Sequence, residues 1–415
     1  MKILVIRNKP PWPLCYGGRL HCYELCRRLT ERHQVLLVAE QPCEADDLPF
    51  NFECRTARNR RLFDDRADPA VEGFRSHRLD RFFGISPAFT RDVVKLTHKW
   101  QPDVVIGMNY RSLAHLAHIT EVPTVCDLLD DEVLHRLREL LYSRVQHTWV
   151  DLKTLVATLL YQRRYLRKVS AITVLSEADR RFCRLYTGHP QIRYIPHGVD
   201  CDHYAPTDVE VDENRIVFCG ALGFGPNVSA VLFFADRVWP LIRRARPKTR
   251  WSILGWGDGA ELQRIKALPG VDFVGRVDDI RPHVARAAVA IVPMVSGTGI
   301  KNKIMEAWAM RKPVLCTPKA LGSLPGVHQE NVWLARSPKT LADGVVQLLG
   351  SRRLRERIGR SARQTAMCHC SWDRAADQLE RLCTELTTAR ARSGRDADDV
   401  RVGPMVCPTA DVRFG

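Results

Sequence analysis

The run from Ser296 to Glu306, Ser-Gly-Thr-Gly-Ile-Lys-Asn-Lys-Ile-Met-Glu, carries the residue types and spacing best suited to chemistry in this chain of 415 residues. An apolar stretch, Val289 to Pro293, leads into it, and Ala-Trp-Ala-Met-Arg-Lys-Pro-Val-Leu follows. The pattern reads as strand, glycine loop, helix, strand. Gly297 and Gly299 free the backbone to turn tightly, and the amides opening the next helix point into the turn. Lys301 and Lys303 add positive charge there, so the loop suits an anion such as a phosphate. Glu306, about one turn further along the helix, is a carboxylate suited to a ribose hydroxyl. Together these groups describe a nucleoside diphosphate with a sugar attached. Taken alone, they also allow an ordinary strand-to-helix turn whose lysines sit in water. No Gly-Lys-Ser/Thr follows the glycines and the spacing is not Gly-x-Gly-x-x-Gly, which makes ATP and NAD poor candidates.

Such a loop needs a sheet behind it, and the chain supplies two series of short apolar segments. Lys2 to Ile6, Gln34 to Ala39, Asp103 to Gly107, Pro123 to Asp127 and Ala171 to Leu175 read as strands with helical patterns between most of them. Arg215 to Cys219, Arg250 to Leu254, Val271 to Val274, Val289 to Pro293 and Pro313 to Cys316 form a second series. Alternation of this kind predicts two doubly wound parallel sheets covered by helices, an α/β fold of two Rossmann-like domains. The expected division is an N-terminal domain over 1–200, a polar, acidic linker over 201–214 and a C-terminal domain over 215–370. A closing helix over 371–388 and an arginine-rich, disordered tail over 389–415 complete it. Ligands of open sheets gather at the carboxyl ends of the strands, so two such domains facing each other would enclose a cleft. Gly17, Gly18 and Arg19 are the first candidates to face the loop from the other domain, by close backbone approach and charge-assisted hydrogen bonds. Asp127, at the end of its strand, could accept from a sugar hydroxyl or equally cap a helix.

Composition narrows the partners. With 45% apolar residues the chain can bury two cores of ordinary size. No apolar run approaches the ~18 residues of a spanning helix, and the start, soon interrupted by Arg7, Asn8, Lys9 and two prolines, reads as strand and loop rather than secretory signal. The expected location is the cytoplasm, with peripheral contact on the inner face of the cell membrane as an addition. Fourteen cysteines are scattered without Cys-x-x-Cys and read as reduced, buried thiols. The formal charge of +16 raises nucleic acid as a partner, but no basic tail, zinc-finger spacing or aromatic RNA motif accompanies it, and no nucleic acid is expected. From Leu134 to Lys168, eight Lys/Arg against two acidic residues surround a helical stripe of Leu134, Leu137, Leu141, Val145, Trp149, Leu152, Val156 and Leu159. The stripe is expected to pack on the sheet, the alternative being an anionic membrane that holds a lipid-linked acceptor.

Several separated segments carry a resemblance that reaches from Met1 to about Leu382. The Gly-Thr-Gly-Ile-Lys-Asn-Lys-x-x-Glu-Ala-x-Ala stretch resembles the donor segment of family 4 glycosyltransferases, and in particular a subgroup of bacterial sugar transferases associated with PEP-CTERM and exosortase exopolysaccharide systems. Met1 to Ile6 followed by Tyr16-Gly-Gly-Arg19, then Ser176-Glu177, the turn Ile195 to Asp200, Phe218-Cys-Gly220 before Pro226-Asn227, and Asp278 to Pro282 resemble further landmarks in the family's order. The resemblance implies the two-domain GT-B architecture, a nucleotide sugar held by the C-terminal domain, and transfer with retention of anomeric configuration. The acceptor is then a glycan or a lipid-linked glycan, and the nucleotide sugar is a substrate, so no cofactor is expected. On this reading Glu306, Lys301 and Asp127 are the catalytic candidates. Gly17, Gly18, Arg19, Gly220, Arg276, Thr298, Gly299, Ile300, Lys303 and again Glu306 form the donor-binding set.

The chain departs from the family pattern at several of these places. The usual pair of glutamates eight positions apart is reduced to Glu306, with Thr298 at the first position. The lysine that many relatives carry after the Phe218 to Gly220 strand is absent, since Pro226-Asn227 stands there, which leaves Lys301, Lys303 or Arg276 to balance the diphosphate. Cys126 replaces a histidine that commonly precedes the aspartate at 127. Asp200-Cys-Asp202 and Asp396-Ala-Asp398 offer Asp-x-Asp, but in a linker and a tail, so no metal is expected. A nucleotide-sugar epimerase or hydrolase of the same fold, and a non-catalytic nucleotide-sugar or glycan-binding protein, are the alternatives.

Overall fold

The computed structural model describes residues 1–12, 14, 17–42, 53–56, 77–142, 149–297 and 299–399. Thr298 is outside the described residues. In the first sheet β1 (Lys2–Arg7), β2 (Gln34–Ala39), β3 (Glu53–Thr56), β4 (Val104–Met108), β5 (Thr124–Asp127), β6 (Ala171–Val174) and β7 (Ile192–Tyr194) lie in the order β3-β2-β1-β4-β5-β6-β7. The second contains β8 (Asp212–Cys219), β9 (Arg250–Leu254), β10 (Val271–Gly275), β11 (Ala287–Val292), β12 (Val314–Cys316) and β13 (Trp333–Leu334), in the order β10-β9-β8-β11-β12-β13. All pairings are parallel.

Both sheets are buried on both faces, which is why their strands read as unbroken apolar runs. In β1, Leu4 and Ile6 enter the core on one face while Ile3 and Val5 enter the core on the other. That second core is completed from the far end of the chain. Trp372, Ala375, Ala376, Leu379, Leu382 and Cys383 form one stripe of the helix Trp372–Asp399, and pack with Cys22, Leu25, Cys26 and Leu29 of the helix Gly17–Thr30. Ion pairs Arg28 to Asp373 at 2.6 Å and Arg32 to Asp377 at 2.7 Å edge the seam. The turn at Gly198 is pressed against Trp372, where a β-carbon would lie 2.5 Å from the indole, and Val199 bridges Ser371. The chain thus crosses between domains twice at one place.

Three expectations need correction. The last helix runs on to Asp399, so 389–399 is helical rather than disordered, because it extends a helix already anchored on the N-terminal domain; 400–415 lie outside the described residues. The linker gives way to β8 at Asp212 rather than Arg215, since β8 pairs with both β9 and β11. The basic stretch forms two helices, Glu132–Tyr142 and Trp149–Leu166, but the apolar stripe of the second does not pack as expected. Ala157, Tyr161, Tyr165 and Leu166 are buried, whereas Trp149 is 86% exposed and Leu152, Val156 and Leu160 are exposed with it. The tyrosines win the inner face because they fill the space beside Phe83 and Tyr110. Leu141 and Val145 fall outside the side chains described.

Candidate active site

The C-terminal wall of the cleft is built where β8 and β11 end. After Val292 the chain turns through Gly297 and Gly299, whose φ angles of +89° and +74° favour residues without a side chain. The helix Asn302–Ala309 then begins at Lys301 with no side chain capping it. Its first amides are therefore open to a ligand, and the helix dipole makes them an anion site. Lys301 is buried and its ammonium donates to Gly299 O at 2.9 Å. Ile300 anchors the loop by packing on the C-terminal core.

Of the three cations offered by the sequence, Lys303 is the one that lies beside Pro226-Asn227. Its Nζ donates to Asn227 Oδ1 at 2.8 Å and sits 4.3 Å from the centre of the Phe218 ring. It also lies over Gly220, where a β-carbon would come within 2.5 Å of it. Asn227 holds its place by donating to Ala221 O at 2.9 Å. A lysine from the helix Asn302–Ala309 therefore reaches across to Asn227. Burial lowers the Lys303 ammonium to about 8, against the opposing pull of Cys219 and Glu306. Glu306 faces it from one turn on, raised to about 7 by burial in spite of Lys303 and of a hydrogen bond from the Tyr204 side chain. Both groups thus change charge close to neutral pH. Arg276 is exposed just beyond the end of β10.

The N-terminal wall is assembled from three strand ends. A β-carbon on Gly17 would lie 3.7 Å from Asn302 Nδ2, so the first residues of two helices, Gly17–Thr30 and Asn302–Ala309, meet across the cleft. Each brings the positive end of its dipole. Gly18 O accepts from the Arg7 guanidinium at 2.7 Å, which pins the start of the helix to β1. Arg19 is turned back on its own domain, donating to Trp12 O at 3.1 Å.

Asp127 is placed differently from the sequence expectation. It is 3% exposed, one oxygen accepts from His21 Nε2 at 2.8 Å and the other from Leu129 N at 3.3 Å. Burial would raise this carboxyl, but His21, by charge and hydrogen bond, with help from Thr173, holds it below the usual range. His21 in turn contacts His197 through their Nδ1 atoms at 3.2 Å, and both rings meet Trp372 edge-on. Asp127 therefore orients a buried pair of imidazoles under the cleft floor; it does not stand free for a sugar hydroxyl. Desolvation, first, and then His21 keep His197 well below the ordinary imidazole range, that is, neutral.

His21, Tyr204 and Asp130 are not among the residues singled out from the sequence. The Asp130-Asp131 pair has a signal there, a doubled carboxylate after a strand. Tyr204 and His21 had none, since only the fold brings them to Glu306 and Asp127. Asp200 accepts from the amides of Asp202 and His203 within its own turn. Among the described residues no group of three or more His, Cys, Asp or Glu is placed to hold a metal ion, every cysteine is free, and no helix is long and apolar enough to cross a membrane.

Comparison with known proteins follows the same division. Residues 17–203 match the family described as Glycosyltransferase Family 4, and residues 213–351 match the family described as Glycosyl transferases group 1. Over 249 residues the chain is 28% identical to the GDP-mannose-dependent alpha-(1-6)-phosphatidylinositol monomannoside mannosyltransferase of Mycobacterium tuberculosis, a match covering 52% of this chain and 63% of that protein. The match thus takes in less than two thirds of that relative's length. Sucrose-phosphate synthase from Thermosynechococcus elongatus superposes with a TM-score of 0.70 at 16% identity, covering 94% of this chain and 100% of that one. HepE of Anabaena in complex with UDP gives 0.66 at 15% identity, covering 93% and 100%. WaaG, a glycosyltransferase involved in lipopolysaccharide biosynthesis, gives 0.62 at 13%, covering 93% and 100%. At these identities the structures speak for the fold, while the two family matches speak for each domain in turn. One region of the chain matches one glycosyltransferase family and a second region matches another, joined in the GT-B fold, and the chain reads as a glycosyltransferase of that fold.

Proposed function

We propose that this chain moves a sugar from a UDP- or GDP-linked donor to a glycan or lipid-linked acceptor, with retention at the anomeric carbon, in the synthesis of a surface or exported polysaccharide. One observation carries the reading: two helix N-termini, at Gly17 and Asn302, converge on one spot that Lys301 and Lys303 also serve. A pyrophosphate is the ligand whose charge and span fit that arrangement. Glu306 then receives the ribose hydroxyls in place of Tyr204. Likeness to a GDP-mannose-dependent enzyme and to HepE, solved with UDP and with UDP-glucose, supports a nucleotide sugar and makes GDP-mannose and UDP-glucose the first donors to try.

In the proposed reaction the bond from the anomeric carbon to the phosphate oxygen breaks while the acceptor oxygen bonds to that carbon on the same face. The acceptor's hydroxyl proton passes to the departing phosphate oxygen, and the nucleoside diphosphate leaves. The loop amides, Lys301 and Lys303 stabilise the charge that grows on the leaving group. They do so in a cleft that domain closure dries. These cations balance the diphosphate, so the reading calls for no metal.

We also infer that the exposed face of Trp149–Leu166 rests on an anionic lipid surface that holds the acceptor. Trp149, Leu152, Val156 and Leu160 form its apolar line, and Lys153, Arg163, Arg164, Arg167 and Lys168 are exposed around and beyond it, which is complementary to acidic headgroups. The deciding experiment for the function is donor turnover. Purified protein should be stabilised by GDP or UDP, release the same nucleotide from its sugar donor, and yield a product whose anomeric configuration equals the donor's. Free sugar or an isomerised donor as the sole product would instead assign a hydrolase or epimerase.

A further inference from the structure

We propose that Asp130 is a donor-sugar-binding residue, a carboxylate delivered from the N-terminal domain to Gly299 of a donor loop whose sequence lacks the first acid of the family pattern. The inference rests on the glycosyltransferase reading above and names a residue that reading does not use.

Two adjacent carboxylates follow β5, and the structure gives them different work. Asp131 is fully buried, accepts from Val133 N and Leu134 N at 3.0 Å and from the Tyr186 hydroxyl at 2.8 Å, and so caps the helix Glu132–Tyr142. Asp130 is half-buried and, among the described residues, takes no hydrogen bond of that kind. It faces the other domain instead. A β-carbon on Gly299 would lie 3.1 Å from Asp130 Oδ2, so the carboxylate touches the donor loop one residue beyond Thr298.

The backbone is bent to achieve this. Leu129 has φ +65°, a left-handed conformation that a leucine adopts at a cost, and such residues cluster where function fixes a direction. The turn is clamped by Leu175 N donating to Leu129 O at 2.9 Å and by contact of Leu129 with Gly18. Beyond Asp130 opens an interdomain cavity of about 480 Å³, large enough for a sugar, with Gly299, Ile300 and Ser323 on one side and His135, Arg138 and Ser176 on the other. Burial, then the nearby Asp179, raises the Asp130 carboxyl, while His135 and Lys301 favour its ionised form. When a diphosphate draws Lys301 to itself, Asp130 is left to accept from sugar hydroxyls. Because the acid comes from one domain and the phosphate loop from the other, the sugar is read only when the cleft is closed.

The test compares nucleotides with and without their sugar. Asp130→Asn and Asp130→Glu are measured against wild type for affinity toward GDP and UDP, affinity and turnover of GDP-mannose and UDP-glucose, and thermal melting. The expected result is unchanged melting, nucleoside diphosphate affinity within about twofold, and kcat/KM for the sugar donor reduced roughly 10- to 100-fold in Asp130→Asn, with partial return in Asp130→Glu. Equal loss of GDP or UDP affinity would show that Asp130 acts through Lys301, and a rise in acceptor KM alone would place it on the acceptor; either overturns the proposal, as does wild-type turnover in Asp130→Asn. If wild type itself binds neither nucleotide, the glycosyltransferase reading fails first.

Discussion

The two walls of the cleft solve the same problem in opposite ways. On the C-terminal side, Gly297, Gly299, Lys301, Lys303 and Glu306 come from a single strand-loop-helix segment, and burial brings Glu306 and Lys303 to change charge close to pH 7. On the N-terminal side, the functional groups come from the ends of β1 and β5 and from the turn at His197, and most are locked to one another, as Asp127, His21 and His197 are. The difference teaches which groups can do chemistry. A group whose charge is already satisfied holds shape, and a group whose charge is poised can respond to a ligand.

Substitutions that strip the poised wall should have the largest effects. Lys301→Ala and Glu306→Ala are each expected to reduce kcat/KM for donor transfer by about 10²- to 10³-fold, the cost typical of removing one electrostatic contact to developing charge. Unchanged rates in both would remove the assigned site. The locked wall should fail in a different currency. Asp127→Ala leaves buried His21 without its partner and should cost about 3 kcal/mol in denaturant unfolding. GDP or UDP affinity should change only a few-fold. An equal loss of affinity would mean that the two walls are not distinct. Asp127 also has its carboxyl held below the usual range, so its contribution to stability is present above the unfolded value and lost as pH falls through the folded one.

The pH profile sharpens the contrast. Glu306 must be ionised to accept ribose hydroxyls, so kcat/KM should rise with pH up to about 7, and Lys303 must be protonated to hold phosphate, so it should fall above about 8. The Glu306→Gln variant should lose the acid limb and keep the alkaline one. A flat profile between pH 6 and 9 would show that neither group is poised. The smallest effect belongs to the outer face. Replacing Trp149, Val156 and Leu160 together by serine should leave turnover of soluble substrates unchanged, since all three are exposed, while weakening binding to phosphatidylglycerol vesicles by roughly tenfold or more. Equal vesicle binding by the triple variant would discard the lipid contact.

The strands at the centre of each sheet are written plainly in the chain. Ten apolar segments were readable, each within a few residues of its place, because strands buried on both faces leave unbroken Val/Ile/Leu runs. Of the edge strands, β10 was readable, but β3, β7 and β13 were not, since they are only four, three and two residues long. The predicted stripe from Trp149 to Leu159 shows the opposite failure, with Trp149, Leu152 and Val156 exposed. Its period was right, but periodicity records that one face of a helix is apolar and says nothing of whether that face meets a core; here Tyr161 and Tyr165 took the inner side.

What the sequence alone determined is the local chemistry: two parallel-sheet domains, and a glycine loop followed at fixed spacing by two lysines and a glutamate, because those relations span only a few residues and follow from backbone geometry. What tertiary structure decided is every relation between distant positions. Lys303 is bonded to Asn227, Asp127 is consumed by His21, Trp372 seals the crossing at Gly198, and Asp130 is turned onto Gly299. The physical reason is that a charge has no fixed role until its neighbours and its depth are set, and both are properties of packing rather than of order along the chain.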